Sequence, residues 1–514
     1  MEVKGKVLLI AGSDSSGGAG LEADQKVLAA HGVYAMTATT ALTAQNTTGV
    51  MDIHHVPPTF LRRQIDAVFD DIGADVVKTG MLASAASVSV VAEALECRSG
   101  DGRQLVVDPV MVATTGTELL PRQALREMRA RLLPLATVLT PNVPEARMLL
   151  ADAGLEAGRV EGVADLEEVG RRLVGLGPAW VLVKGGHVPL RRRDLRVAVE
   201  DAEREVVVDV LVGRGGDEVV RVETPWRDSR HTHGTGCSLA SAIASGLAKG
   251  MSVPDAVRAA CRYVEAGIRT APGLGKGSGP LNHFHSTYAL PFAPGRFVEW
   301  MLERPDVAPV WDRFVNHPFV MAMGNGSLPL ESFKGYLMQD YLYLIHFARA
   351  NALAAYKAKN MADIKAASEI VLHIERETSL HVTYCEGFGI SLEEMGKTEE
   401  KMACTAYTRY VLDIGQSEDW LALQVALAPC LLGYGAVAKM LHGDTRTKRE
   451  GNRYWDWIEN YIADDYVQAV KIGSDLLERH AVLQSTLRVE ELVKIFIHAT
   501  KMEIGFWEMF PSSG

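Results

Sequence analysis

Residues 231–247 read HTHGTGCSLASAIASGL, a polar loop that closes on Gly-Thr-Gly and passes into a helix of small and apolar residues. A glycine-rich turn that opens a helix gathers unpaired backbone N–H groups at the positive end of the helix dipole, so it can hold an anion such as phosphate. The pattern places Cys237 as the first helical residue. There the helix N-terminus lowers a thiol pKa, and a thiolate could accept a proton. A small buried cysteine packing the helix start is the other reading, and the residues leave both open.

Working outward, short β-rich runs alternate with helical segments: KVLLIAG (6–12), DVVKTG (75–80), LVVDPV (105–110), TVLTPN (137–142) and WVLVKGG (180–186). Most run from apolar residues into a polar or glycine turn, as do strands of a buried parallel sheet whose C-terminal ends carry the site. This predicts an α/β domain with a mostly parallel central sheet. From about residue 293 no strand pattern remains, and helical stretches such as 331–356 predict an all-α bundle. Nineteen of 21 prolines and 35 of 47 glycines precede residue 330, so the two halves are punctuated differently. The join falls at ALPFAPG (289–295), which sets a first domain at 1–287, a linker at 288–295 and a second domain at 296–514.

The totals narrow the class of function. With 47% hydrophobic and 23% charged residues the composition is that of a globular protein, and 514 residues exceed one core. A net charge of −11 argues against a general nucleic-acid or anionic-membrane surface and for small-molecule chemistry. Cys97, Cys237, Cys261, Cys385, Cys404 and Cys430 form no C-x-x-C pair, which suits reduced thiols. The apolar run after the N-terminus is too short for a signal peptide, and the stretch Trp420–Ala438 carries Gln424, Pro429, Gly433 and Gly435, so it reads as a buried helix. A cytoplasmic location is expected. The basic cluster Arg191–Arg193 reads as a solvated turn.

The opening motif LLIAGSDSSGGAGLEAD (8–24) is a strand, a Gly/Ser turn and a helix start, with Asp24 one turn into that helix. Together with HGTGC (233–237) it offers two glycine turns, one for a substrate and one for phosphate. Phosphoryl transfer to an alcohol needs a base, N–H dipoles facing the phosphoryl group and a cation on the phosphate chain; Gly234, Thr235 and Gly236 can supply the dipoles.

Eight strings resemble, in order, bacterial hydroxymethylpyrimidine/phosphomethylpyrimidine kinase: AGSDSSGGAG (11–20), TALTAQNT (40–47), KTGML (78–82), VDPVM (107–111), TPNVPEA (140–146), VKGGH (183–187), HGTGC (233–237) and LNHFH (281–285). The resemblance covers residues 1 to about 287. It implies a ribokinase-like fold, ATP and Mg2+ as cofactors, and two successive phosphorylations of hydroxymethylpyrimidine. It also implies Asp24, Gln45, Met81 and Val110 as the pyrimidine pocket, with Asp24 and Gln45 pairing the ring nitrogens and amine and Met81 and Val110 covering the ring faces. Asp108, Asn142 and Glu145 match the magnesium and phosphate region, Lys184 the ATP-site lysine and Cys237 the catalytic position. Without the resemblance, Asn142 and Glu145 read as a helix cap with its acid. Relatives often carry Asn in place of His231 and Lys near Thr114. Residues 188–222, longer and more charged than the bacterial pattern, lead us to expect a lid or flap. A pyridoxal-type kinase with a non-catalytic or regulatory helical domain is the alternative on the same scaffold.

In the helical half, apolar stripes carry Asp340, Tyr343, Tyr407, Cys430, Tyr434, Tyr461 and Glu503. Burying these groups is costly unless they pair, and one pocket for a flat heterocycle accounts for them together. Taken singly, each tyrosine also fits a core role and Cys430 an inert thiol. From NHPFVMAMGNGSLP (316–329) onward, these motifs resemble the thiaminase II family over about 293–514. The resemblance implies Cys430 as nucleophile on the pyrimidine ring, Glu503 as acid to a ring nitrogen, Asp340 holding the exocyclic amine, and Tyr343, Tyr407, Tyr434 and Tyr461 lining and stacking. Thiamin or aminopyrimidines would release hydroxymethylpyrimidine. The expected whole is a bifunctional thiamin-pathway enzyme with small-molecule partners, no nucleic acid and no membrane, in a homo-oligomer with dimeric kinase and tetrameric bundle contacts. A ligand-binding regulator is the reading from a different class.

Overall fold

The computed structural model describes residues 3–98, 102–111 and 120–513, so the expectation at Thr114 lies outside the described residues. The chain divides into two compact units, Met1–Thr287 and Tyr288–Gly514.

In the first unit the strands are β1 (Lys6–Asp14), β2 (Tyr34–Asn46), β3 (Gly49–His55), β4 (Val76–Thr79), β5 (Gln104–Val107), β6 (Val138–Leu139), β7 (Trp180–Val183), β8 (Val206–Gly213) and β9 (Val219–Pro225). They form one sheet in the order β3-β2-β1-β4-β5-β6-β7-β8-β9, parallel from β2 to β7 and antiparallel at β3, β8 and β9. Strands β1, β4, β5, β6 and β7 are buried on both faces because helices cover both sides, which is why they read as continuous apolar runs, whereas β2 alternates between buried and open positions. Those helices are α1 (Gly20–Ala30), α2 (Pro58–Asp71), α3 (Ala85–Glu96), α4 (Arg122–Glu127), α5 (Val143–Asp152), α6 (Val163–Val174), α7 (Thr235–Ala248) and α8 (Val253–Arg269). The strand order reverses direction between β1 and β4, and the crevice at such a switch point is where open α/β sheets bind ligands.

Two expectations are corrected here. The charged region 188–222 is not a lid as a whole: from Val206 it supplies β8 and half of β9 to the central sheet. Its Val206–Gly213 run was hidden by the charged loop before it, in which Arg191, Arg192 and Arg193 pair with Asp194, Glu223 and Glu203. Cys237 is not the first helical residue either. Helix α7 begins at Thr235, capped by Gly234 at φ +79°, and Cys237 is its third residue.

The second unit is helical: α9 (Phe297–Glu303), α10 (Ala308–Val315), α11 (Pro318–Asn325), α12 (Leu330–Lys357), α13 (Met361–Gly387) and α14 (Leu392–Lys397). After these come α15 (Met402–Ser417), α16 (Trp420–Gly443), α17 (Trp455–Asn460), α18 (Asp464–Ala481) and α19 (Thr486–Trp507). Helix α16 is apolar all round because it lies inside the bundle against α15, α18 and α19. Phe292, in the segment read as linker, is buried against Phe297 and Trp300 in this unit's core.

Candidate active sites

In the first unit, the C-terminal ends of β1, β4 and β5 and the start of α7 enclose a cleft of about 660 Å3. Gly234 joins its two glycine turns: an added Cβ would overlap the carbonyl oxygen of Gly18. The turns therefore abut rather than face each other across the cleft.

One end of the cleft is a polar pair that the sequence reading did not single out. His233 Nε2 donates to Asp14 Oδ2 at 2.8 Å, and the side-chain amide of Gln45 lies 3.3 Å from the same nitrogen. Asp14 also accepts from Ser16 N and Ala19 N. Burial works to raise the Asp14 pKa, but hydrogen bonds from His233 and Ser16 and the nearby His233 charge hold it at about 2. Both residues lay inside the quoted strings SDSSGG and HGTGC; the signal was a carboxylate and an imidazole each beside a glycine turn. Beside them Met81, Ala41 and Val110 form an apolar shelf, and Gln45, Met81 and Val110 all line the cleft as expected.

Asp24 does not. It is fully buried beneath the cleft, where Lys78 Nζ meets its Oδ2 at 2.8 Å and Ser241 donates to its Oδ1 at 2.7 Å. Burial opposes the Lys78 cation, but the Asp24 carboxylate raises its pKa and keeps it charged. Asp24 answers a lysine within β4 and is not part of the cleft wall. Lys78 itself was legible only as part of KTGML.

The other end gathers the expected phosphate residues. Lys184 Nζ lies 2.9 Å from Asp108 Oδ1 and 3.7 Å from Glu145 Oε2. Asn142 and Glu145 form a reciprocal capping box on α5, so the capping reading holds for both while they also line the cleft. A Cβ on Gly236 would stand 3.2 Å from Lys184 Nζ and 3.6 Å from Asp108 Oδ2, which puts the N–H groups of Gly236 and its neighbours beside that cluster. Asp108 Oδ2 is buried and, among the described residues, has no hydrogen-bond partner. Cys237 lines the cleft, but its thiol is not activated: burial pushes its pKa up to about 12, Lys78 opposes, and Asp24 and Asp108 add to the rise. The expected lowering by the helix start loses to desolvation beside two carboxyl groups. His231 lies against Gly279, away from the cleft wall.

In the second unit, Asp340, Tyr343, Cys430, Tyr434 and Tyr461 line one cavity. Helix geometry aligns them: Asp340 and Tyr343 are i, i+3 on α12, and Cys430 and Tyr434 are i, i+4 on α16. Tyr407 and Glu503 stand one layer behind the wall, joined by a 2.7 Å hydrogen bond from the phenol to Glu503 Oε1. Tyr407 stacks on Tyr343 with ring centroids 4.9 Å apart. Burial pushes the Glu503 pKa up to about 8, and hydrogen bonds from Tyr407 and Tyr434 offset only part of the rise. Tyr336, which the sequence reading missed, donates to Asp340 Oδ2 at 3.4 Å; it lies one turn before Asp340 on α12.

The sequence profile of the phosphomethylpyrimidine kinase family matches residues 14–282, and that of the TENA/THI-4/PQQC family matches residues 304–511. A Schizosaccharomyces pombe chain, provisionally named hydroxymethylpyrimidine/phosphomethylpyrimidine kinase 2, is 41% identical over 98% of this chain and 90% of its own length. Hydroxymethylpyrimidine/phosphomethylpyrimidine kinase THI20 of Saccharomyces cerevisiae is 34% identical over 98% of this chain and 94% of its own. Among solved structures, an ADP complex of Bacillus subtilis pyridoxal kinase shows 33% identity over 54% of this chain and 97% of that one, with a TM-score of 0.47.

Proposed function

Because this chain belongs to the phosphomethylpyrimidine kinase family and carries a TENA/THI-4/PQQC domain behind the kinase, we propose how its two sites divide the work of a bifunctional thiamin-pathway enzyme. The first unit is a kinase for hydroxymethylpyrimidine and its phosphate; the second is a thiaminase II-type domain that releases the same pyrimidine. The meeting of Lys184, Asp108 and the start of α7 in one cleft with the Gln45–Met81–Val110 wall carries the first assignment. Gln45 pairs the aminopyrimidine edge, and Met81 and Val110 cover the ring.

ATP lays its phosphates between Lys184 and the N–H groups of Gly234 and Gly236, donors that stabilise charge on the transferred group, while the Thr235 N–H is donated to the Thr232 carbonyl at 3.3 Å. Asp108, whose Oδ2 has no hydrogen-bond partner among the described residues, and Glu145 would hold a magnesium ion, which would supply positive charge against the phosphates. Cys237 lines the cleft as a thiol that already carries its proton, so it can donate a hydrogen bond beside the alcohol but not act as its base; the alcohol proton passes to an oxygen of the transferred phosphoryl group.

In the bundle, Asp340 holds the exocyclic amine and Cys430 adds to the ring. Glu503, its pKa raised by burial, stands behind the wall and passes a proton toward a ring nitrogen through the hydroxyl of Tyr434, which hydrogen-bonds to it and lines the cavity. The adduct expels the thiazole or amine carried on the 5-methylene, water adds to the exocyclic methylene that results, and breaking of the bond from the ring carbon to the Cys430 sulfur restores the ring and the thiol as hydroxymethylpyrimidine leaves. Free thiols at all six cysteines suit a reducing, cytoplasmic setting, in a homo-oligomer.

The test is mass spectrometry of products from thiamin, aminomethylpyrimidine, hydroxymethylpyrimidine and pyridoxine, each with and without Mg-ATP. Mono- and diphosphates of hydroxymethylpyrimidine, and ATP-independent release of hydroxymethylpyrimidine, are expected. Faster phosphorylation of pyridoxine would instead make the first unit a pyridoxal-type kinase.

A further inference from the structure

The bundle cavity extends beyond the groups that engage the pyrimidine. Past Cys430 and Tyr461 its wall is built by α13 and α18, with Ile370, His373 and Ile374 facing Tyr466 and Ala469. His373 brings a hydrogen-bonding ring to this otherwise apolar stretch. Its Nε2 is buried and, among the described residues, meets no hydrogen-bond partner. Leaving a buried polar atom unmatched is costly, so its place on a cavity wall points to a ligand atom that meets it.

The position of His373 relative to the reacting groups follows from two contacts. Its ring lies 6.3 Å from that of Tyr466, and the Tyr466 hydroxyl donates at 3.1 Å to the carbonyl of Leu431, the residue after Cys430. Tyr466 also packs edge-on against Tyr461, with centroids 4.9 Å apart. Burial lowers the His373 pKa, an effect that Asp465 opposes and Arg376 reinforces, so the imidazole is neutral near pH 7 and one ring nitrogen can accept a hydrogen bond.

With the amine of a pyrimidine on Asp340 and its ring beside Cys430, the remaining stretch of the same cavity, lined by Ile370, His373, Ile374, Tyr466 and Ala469, is the space left for the amine or thiazolium that departs from the 5-methylene. We propose that His373 reads this leaving group by accepting a hydrogen bond from an N–H on it. Amines and amides offer that N–H. The thiazolium nitrogen of thiamin is quaternary and has none, and a site built to pair an N–H discriminates against a ligand that lacks it. His373 is thus a specificity-determining residue for the hydrolase reading given above, on which this assignment rests.

Steady-state kcat and KM of the full chain on 4-amino-5-aminomethyl-2-methylpyrimidine and on thiamin test it. His373→Leu is expected to lower kcat/KM for the aminomethyl substrate at least about tenfold and to change that for thiamin less than about twofold. His373→Gln, whose carbonyl can accept, should recover part of the loss. His373→Phe, which keeps a ring against Tyr466, carries the same expectation as Leu should the Leu variant fail to fold. Equal losses on both substrates, no loss on either, or a wild-type chain that cleaves thiamin alone would overturn the assignment. A wild-type chain that releases hydroxymethylpyrimidine from neither substrate would instead overturn the hydrolase reading itself.

Discussion

Glu503 shows what a carboxyl becomes when its surroundings choose its charge. Ordinary near 4.5 in an unfolded chain, it rises to about 8 in the bundle, so folding favours its protonated form. The stability tied to this group is whole below about pH 4.5 and is lost as pH rises through about 8, since ionising it in place is costly. Glu503→Gln keeps an acceptor for the Tyr407 hydroxyl but cannot ionise or pass a proton. It should abolish thiamin cleavage while making the bundle more heat-resistant than wild type at pH 9, an advantage that shrinks toward pH 5; tryptophan-fluorescence melts follow the bundle, which holds six of the eight tryptophans. A wild-type advantage at pH 9 would contradict a neutral Glu503. Asp24 tests the opposite situation, a buried ion pair. Asp24→Asn strands the Lys78 cation and should destabilise the kinase unit by about 3–5 kcal/mol in denaturant melts. The KM for hydroxymethylpyrimidine should stay within about twofold under folded conditions; a large rise in KM with unchanged stability would return Asp24 to the substrate pocket.

The start of α7 concentrates the kinase chemistry in one turn. Gly234 holds a left-handed conformation and lies so close to Gly18 that a methyl group cannot fit, so the N–H donors after it depend on its being glycine. Gly234→Ala should reduce kinase kcat/KM about a hundredfold, measured by ADP release, because it displaces more than one phosphate donor. Thiamin cleavage should be unchanged. An active Gly234→Ala kinase would mean that the phosphates bind elsewhere. The glycine turn and helix were legible in HGTGC because few other strings meet both needs. The thiol state of Cys237 was not, since helix-terminal stabilisation is visible in a sequence whereas the burial that outweighs it, reinforced by the Asp24 and Asp108 carboxyl groups, is supplied by other elements.

Across the molecule, each site is built within its own compact unit, from residues of that unit alone. Cys430→Ser should therefore eliminate release of hydroxymethylpyrimidine and leave its phosphorylation within about twofold of wild type. Loss of both activities would show that the two sites are not independent. The break in proline and glycine usage and the strand–turn–helix strings were enough to separate the α/β unit from the bundle, and polar residues within apolar helices marked Asp340, Tyr343, Cys430, Tyr434 and Tyr461 of the bundle cavity, because local conformation and burial leave periodic marks on a chain; Gln45, Met81, Val110, Asp108 and Lys184 of the cleft were legible only through the family resemblance. Tertiary structure alone decided which groups meet: that Asp24 answers Lys78 beneath the cleft, that Asp14 and His233 pair at the cleft, that β8 and β9 extend the sheet, and that burial raises the Glu503 pKa. Each of these depends on desolvation and on partners far apart in the chain, and neither quantity is written in any local stretch of residues.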